Sequence, residues 1–240
     1  MSNSVNEYYE KMTKEAIAEL SEFRIMSSVG VNTRSIKRLD GFDAEIIKAT
    51  NFKDIVHPIY VSVIGGSLQI NGDYGDAVIN MALHGYRNLR SYANMHFSYF
   101  YEKERGNPKF RKYIQELFFD EITEIINERL EEESGSFGTE EYHELIEYTE
   151  GLYLDDDNEI CMDDYNFPSD EYEATIWLRE NGEKIVGDEC WYETIPNCVY
   201  PTFRLFFIWQ MIKKIDQLLY PHDYEEIEGF LKRKKVLKTV

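Results

Sequence analysis

Between residues 116 and 200 the chain is nearly empty of cations, with 3 Lys/Arg against 27 Asp/Glu. Residues 1–115 hold 15 and 13, and residues 201–240 hold 8 and 5, so the three segments carry +2, −24 and +3 of the total −19. Affinity for a phosphate backbone rests on Lys and Arg displacing counterions, and a block of −24 repels the polymer instead. Direct nucleic-acid binding and binding to anionic membranes are therefore not expected. The partners left for the block are a basic protein surface, metal cations or water alone.

Cysteine is sparse as well. Cys161, Cys190 and Cys198 are odd in number and form no C-x-x-C pair, which argues against a zinc site or a disulfide framework and fits a reducing cytoplasm. No stretch approaches 18 uninterrupted apolar residues, and the opening SNSVNEYYEK lacks the charged start and apolar run of a signal peptide. The expectation is a soluble cytoplasmic protein with no membrane partner. G-x-S-x-G, G-x-x-x-x-G-K-[ST], H-E-x-x-H and G-x-G-x-x-G are all missing. The five histidines, at 57, 84, 96, 143 and 222, are scattered. No catalytic residue, metal ligand or cofactor is assigned. His96, on an apolar face, reads as a hydrogen-bonded core histidine.

What is present is ample core material, 43% hydrophobic and 15% aromatic over 240 residues, enough to fold despite the acidity. The pattern predicts a single α+β domain over 1–240, subdividing, if at all, into an α/β part (1–107) and a helical acidic part (108–240). A small antiparallel β-meander over about 57–81 is packed with several α-helices, and the C-terminal half is helix-rich. Its signals are Ile59, Val61 and Val63 in alternation, a Gly65-Gly66 turn, Leu68 and Ile70, a turn at 71–75, and Ala77-Val78-Ile79. Residues 23–47 suggest only short strands and turns. Helical spacing predicts helices over 5–23, from Tyr86 through Phe100, over 108–133, and from a Thr139 cap to Tyr148. Further helices are expected over 169–179 with Ser169 as cap, over 201–219 with Pro201 in its first turn, and over 224–237. Residues 154–170 read as a solvated loop or exposed hairpin.

Residues 59–101 carry a motif beyond these periodicities. Gly72-Asp73-Tyr74-Gly75-Asp76-Ala77-Val78 follows a strand-turn-strand unit and precedes a helix and the aromatic patch Phe97-Ser98-Tyr99-Phe100. This resembles an uncharacterised family of phage and mobile-element proteins of Gram-positive bacteria, with G-D-(L/Y)-G-(E/D)-A-V and Leu-x-Tyr-Phe at these places. The resemblance covers about 45 residues. It implies a phage or mobile-element origin and brings no activity or catalytic residues. Read from the residues alone, the motif is a turn in which Gly72 and Gly75 can take positive φ.

The 108–133 helix carries the most informative pattern. Glu116, Asp120, Glu124, Glu128 and Glu132 stand at strict four-residue spacing, one carboxylate about every 6 Å at ~1.5 Å rise per residue. That is close to the separation of neighbouring phosphates along one nucleic-acid strand. The four like-charge pairs cost on the order of 1–2 kcal/mol, so helix stability does not account for them. Two readings stand: a face that is merely solvated, or one that, with Glu140, Glu144 and Glu147, imitates a nucleic-acid backbone. On the second reading the protein is a non-enzymatic anti-defence inhibitor of the anti-CRISPR or anti-restriction type. Its partner is the basic surface of a host nucleic-acid-binding defence protein. The basic run Lys232-Arg233-Lys234-Lys235 can neutralise part of the acidic surface within the chain or across a homodimer.

Two alternatives come from other classes. A sequestering protein for a small signalling nucleotide would use a pocket near Gly72–Val78, with Arg87, Arg90, Lys103 and Arg105 on the phosphates. A metal-dependent enzyme would use the carboxylates of 155–164. Against an EF-hand loop starting at Asp155, the sixth position is Ile160 instead of glycine and the twelfth is Asn166 instead of an acid.

Overall fold

The computed structural model describes residues 3–31, 44–51, 59–64, 66–72, 76–80, 88–104, 107–134, 140–157, 159–163, 165–187, 192 and 198–221, and within them it is an α+β fold. The expected 224–237 helix, the Lys232–Lys235 run, the central turn residues 73–75 and the Thr139 cap lie outside the described residues. In chain order the first elements are α1 (Asn3–Glu19), β1 (Phe23–Val31), β2 (Ala44–Asn51), β3 (Ile59–Ile64), β4 (Ser67–Asn71) and β5 (Ala77–Asn80). They are followed by α2 (Leu89–Ala93), α3 (Phe97–Glu104), β6 (Arg111–Tyr113), α4 (Gln115–Ser134), α5 (Glu140–Tyr148) and β7 (Leu152–Leu154). The last are β8 (Ile160–Met162), α6 (Glu171–Val186), β9 (Val199–Pro201) and α7 (Phe203–Leu219). The chain groups into two compact units, residues 12–110 with 203–240, and residues 1–11 with 111–202.

In the first unit β1 to β5 pair antiparallel in chain order. The cause is the period-2 alternation of side chains across the pleat. Ile59, Val61, Val63, Leu68, Ile70, Ala77 and Ile79 are buried, while Tyr60, Ile64 and Val78 are exposed. Gly66, at φ 77°, sits in the tight β3–β4 connection. The meander extends two strands further toward the N-terminus than predicted. A register shift between Ile25 and Ser27 breaks the alternation in β1, which is why this stretch reads as short pieces.

The expected continuous helical face from Tyr86 to Phe100 is two helices, broken at Asn94–His96. Asn88 caps α2, its side chain accepting from the Ser91 amide (2.9 Å) while Ser91 Oγ accepts from the Asn88 amide (3.2 Å). His96 is not a core histidine. It is exposed, and its Nδ1 lies 2.7 Å from Ser98 Oγ at the start of α3. The buried polar group here is Tyr92, whose hydroxyl is shared between the carbonyls of Gly66 (2.6 Å) and Ile79 (3.1 Å). α7 buries Leu205, Phe206, Phe207, Ile208, Met211, Ile212 and Ile215, and Phe206 stacks on Phe97 at 4.0 Å between centroids.

The second unit packs α4 and α6 with a shared aromatic cluster of Phe118, Phe167 and Trp177. Four expected boundaries are corrected here. Residues 111–113 form β6 rather than the start of the long helix, because they pair with β9, and α4 begins at Gln115. Pro201 accordingly ends β9 and lies outside α7. The α6 cap is Asp170, which accepts from the Glu173 amide at 2.9 Å, and the helix runs on to Val186. Gly187, at φ 75°, closes it in the left-handed conformation. The acidic stretch expected as a loop or exposed hairpin over 154–170 differs in bounds and burial: β7 pairs with β8 over 152–162, and Leu152 and Ile160 are buried in the core while the turn between the strands is acidic.

Candidate partner-binding surface

α4 is amphipathic because Leu117, Phe118, Ile122 and Ile126 recur at helical spacing and are buried in the acidic unit. That burial turns the four-residue carboxylate series outward. Glu116 and Glu128 are exposed, whereas Asp120 and Glu124 are half-buried. The cause is the first turn of α1: Asn3 and Ser4 line a shallow groove of about 400 Å³ with Asp120, Thr123, Glu124 and Glu128. A helix N-terminus carries partial positive charge, so this placement offsets some of the like-charge repulsion in the series. Glu132 and Glu140 stand on α4 and α5, and their side chains lie outside the described residues. Glu144 and Glu147 are exposed on α5.

α4 contains one cation, Arg129, and it is committed elsewhere. Its guanidinium donates to the carbonyls of Lys184 and Ile185 (3.0 Å to the latter) at the C-terminal end of α6. These are orphan carbonyls of the last helical turn, where a cation also meets the negative end of the macrodipole.

One acid of α4 points the other way. Glu121 is buried and accepts a hydrogen bond from the Tyr200 hydroxyl at 2.7 Å. Burial pushes its carboxyl up, and the Tyr200 hydrogen bond pulls it partly back. The signal for Glu121 lies in the spacing, since it sits three residues after Phe118 and four before Ile125, on the apolar side.

Two acids of the β7–β8 region serve local structure. Asp155 Oδ1 accepts from the amides of Asp157 (3.0 Å) and Glu159 (2.8 Å), closing the β7–β8 turn. Asp163 accepts from the Tyr165 amide (2.9 Å) and from Asn166 Nδ2 (2.6 Å), and these bonds hold its carboxyl below the usual range. Among the described residues no three His, Cys, Asp or Glu side chains gather as a metal-binding group. Of the four cations considered for nucleotide phosphate, Arg87 and Arg105 lie outside the described residues. Arg90 is engaged by Asp216 (3.5 Å) and the Tyr220 ring (4.4 Å), and Lys103 by Glu102 (2.7 Å) and the Tyr99 ring (4.8 Å). Cys198 is buried, which pushes its thiol up and away from nucleophile character. Among the described residues no helix is long and apolar enough to cross a membrane.

Comparison of the chain with protein families, with curated proteins and with solved structures finds no match.

Proposed function

We propose that this protein is a non-enzymatic acidic inhibitor, carried by a phage or mobile element, that occupies the nucleic-acid-binding groove of a host defence nuclease. CRISPR effectors and restriction enzymes are the classes with such grooves. The observation that carries the reading is the outward carboxylate series of α4, whose single cation, Arg129, is spent on the end of α6. Glu116 and Glu128 stand about 18 Å apart along the helix at ~1.5 Å per residue. They and the exposed Glu144 and Glu147 of α5 are the contact candidates, while Asp120 and Glu124, partly covered beside α1, contribute field more than contact. Charge complementarity of this kind acts mostly through association rate and weakens with salt.

The test is capture from a Gram-positive host lysate by the intact protein and by a Glu116→Lys/Glu128→Lys/Glu144→Lys/Glu147→Lys variant. The wild type retains a nucleic-acid-binding protein that added double-stranded DNA displaces. The variant retains about tenfold less at ~0.1 M salt. Undiminished capture by a variant with an unchanged circular dichroism spectrum removes the mimicry reading.

A further inference from the structure

The sheet-bearing unit contains a cleft whose chemistry runs against the composition of the chain. It has a volume of about 330 Å³ and is lined by Ile17 of α1, by Leu20 and Ser21 of the short 3-10 turn that follows it, and by Gln210, Lys213, Lys214 and Gln217 of α7. Among the described residues no carboxylate lines it, in a protein with 45 Asp/Glu against 26 Lys/Arg. The α7 residues stand three and four apart, so they present one stripe of the helix to the cleft. Of its apolar lining residues Leu20 is buried and Ile17 is 56% exposed.

The two ammonium groups are not accounted for by internal pairing. Among the described residues neither Lys213 nor Lys214 has a carboxylate within ion-pair distance. Lys213 Nζ lies instead 3.6 Å from the centroid of the Trp209 ring, and Trp209 is itself fixed by its indole N–H donating to the Met95 carbonyl at 3.0 Å. A cation–π contact orients the ammonium without neutralising it. Its partial burial also lowers the lysine's pKa, the mark of a charge removed from water without a compensating anion. A favourable helix dipole does not explain the position, because that effect fades beyond the last turn and Lys213 lies six residues before Leu219. Snorkelling of lysine stems over apolar surface explains the contact with Trp209, but it leaves the half-enclosed space beside them unfilled.

We propose that this cleft binds a small amphiphilic anion, an alkyl or aryl carboxylate, with its apolar body against Ile17 and Leu20 and its head group between Lys213 and Lys214. The volume is at the lower end of small-ligand sites, which run from roughly 300 to 1,000 Å³. A polyphosphate is a poorer fit, since the site offers neither an arginine fork nor a run of backbone amides. This proposal is independent of the acidic surface on α4.

The probe is sodium decanoate, titrated into the full-length protein by calorimetry, with 1-decanol as the uncharged isostere and inorganic phosphate as the head group without a body. Decanoate is expected to bind at one site, about tenfold or more tighter than decanol, the size of one desolvated charge pair. Phosphate alone is expected to give no saturable heat. Lys213→Met/Lys214→Met should remove that advantage and leave decanol binding unchanged, with a retained thermal midpoint showing that the fold persists. Ser21→Trp, which adds bulk at an uncharged lining position and keeps both lysines, should abolish binding of both. Absence of saturable decanoate binding, equal affinity for decanol, or undiminished binding by either folded variant overturns the proposal.

Discussion

Glu104 ends α3 with a side chain only 8% exposed. Burial pushes its carboxyl up from 4.5 to about 7, so the folded protein holds a proton there over a range in which the unfolded chain has released it. Below about pH 4.5 both states are protonated and the site costs nothing. As pH rises toward about 7 the native carboxyl must ionise in a desolvated setting, and stability falls. Glu104→Gln should therefore gain on the wild type by on the order of 1–3 kcal/mol between about pH 5 and about pH 8 in urea denaturation. A constant difference between the two proteins across that range would contradict it. Nothing in the local pattern marks Glu104 as buried, since it lies among Glu102, Lys103 and Arg105. Glu121 went unread in the sequence although its spacing carries a signal, since it shares the apolar side of α4. His96 misleads for a related reason: its spacing puts it on the apolar face of a helix that in fact stops at Asn94.

Elements whose cause is local were readable, and those whose cause is distant were not. The alternation over 59–70 and the repeat in α4 are set by one buried face each, so a short window contains the signal. β6 and β9 are three residues apiece and exist because Arg111 pairs with Pro201 and Tyr113 with Val199. No window around either one contains its partner, so residues 111–113 read as helix and Pro201 as a helix opener. The β7–β8 hairpin is intermediate: acids and turn residues announce a turn, but its anchor is a glycine. Gly151 precedes β7 at φ +82°, and a Cβ there would lie 2.8 Å from Phe167 Cα and N. Its carbonyl also accepts from the Asp163 amide at 2.8 Å. Gly151→Ala meets both a left-handed backbone and main-chain atoms that cannot rotate away, with Phe167 buried among Phe118 and Trp177 behind them. The expected loss is about 2–4 kcal/mol by chemical denaturation. A change below about 0.5 kcal/mol would mean that the hairpin shifts as a body and that Gly151 does not anchor it.

Taken over the whole chain, charge follows the division into units. Residues 1–11 and 111–202 hold 6 Lys/Arg and 29 Asp/Glu, and residues 12–110 and 203–240 hold 20 and 16, for nets of −23 and +4. The acidic block visible in composition, 116–200, falls inside the first of these. The 111–202 part of that unit begins at β6 and ends at β9, two neighbouring strands, as an inserted segment with adjacent ends does. The return of residues 203–240 to the sheet-bearing unit has no compositional mark, because it depends on the burial of α7 rather than on charge. A net of −23 in one small unit is self-repulsive, and repulsion between exposed charges falls as salt shortens the screening length. Against this stand ion pairs such as the half-buried Arg111 with Glu171 at 2.7 Å, which salt weakens and which are few against 29 carboxylates. Repulsion should win. Scanning calorimetry of the intact protein should show the midpoint rising by several degrees between about 20 mM and about 500 mM NaCl. Most of the rise should be complete by about 0.2 M, where the Debye length is already below ~8 Å. A midpoint that falls with NaCl would mean that paired charges outweigh the repulsion, and a rise confined to the highest salt would point to salting-out of apolar surface instead.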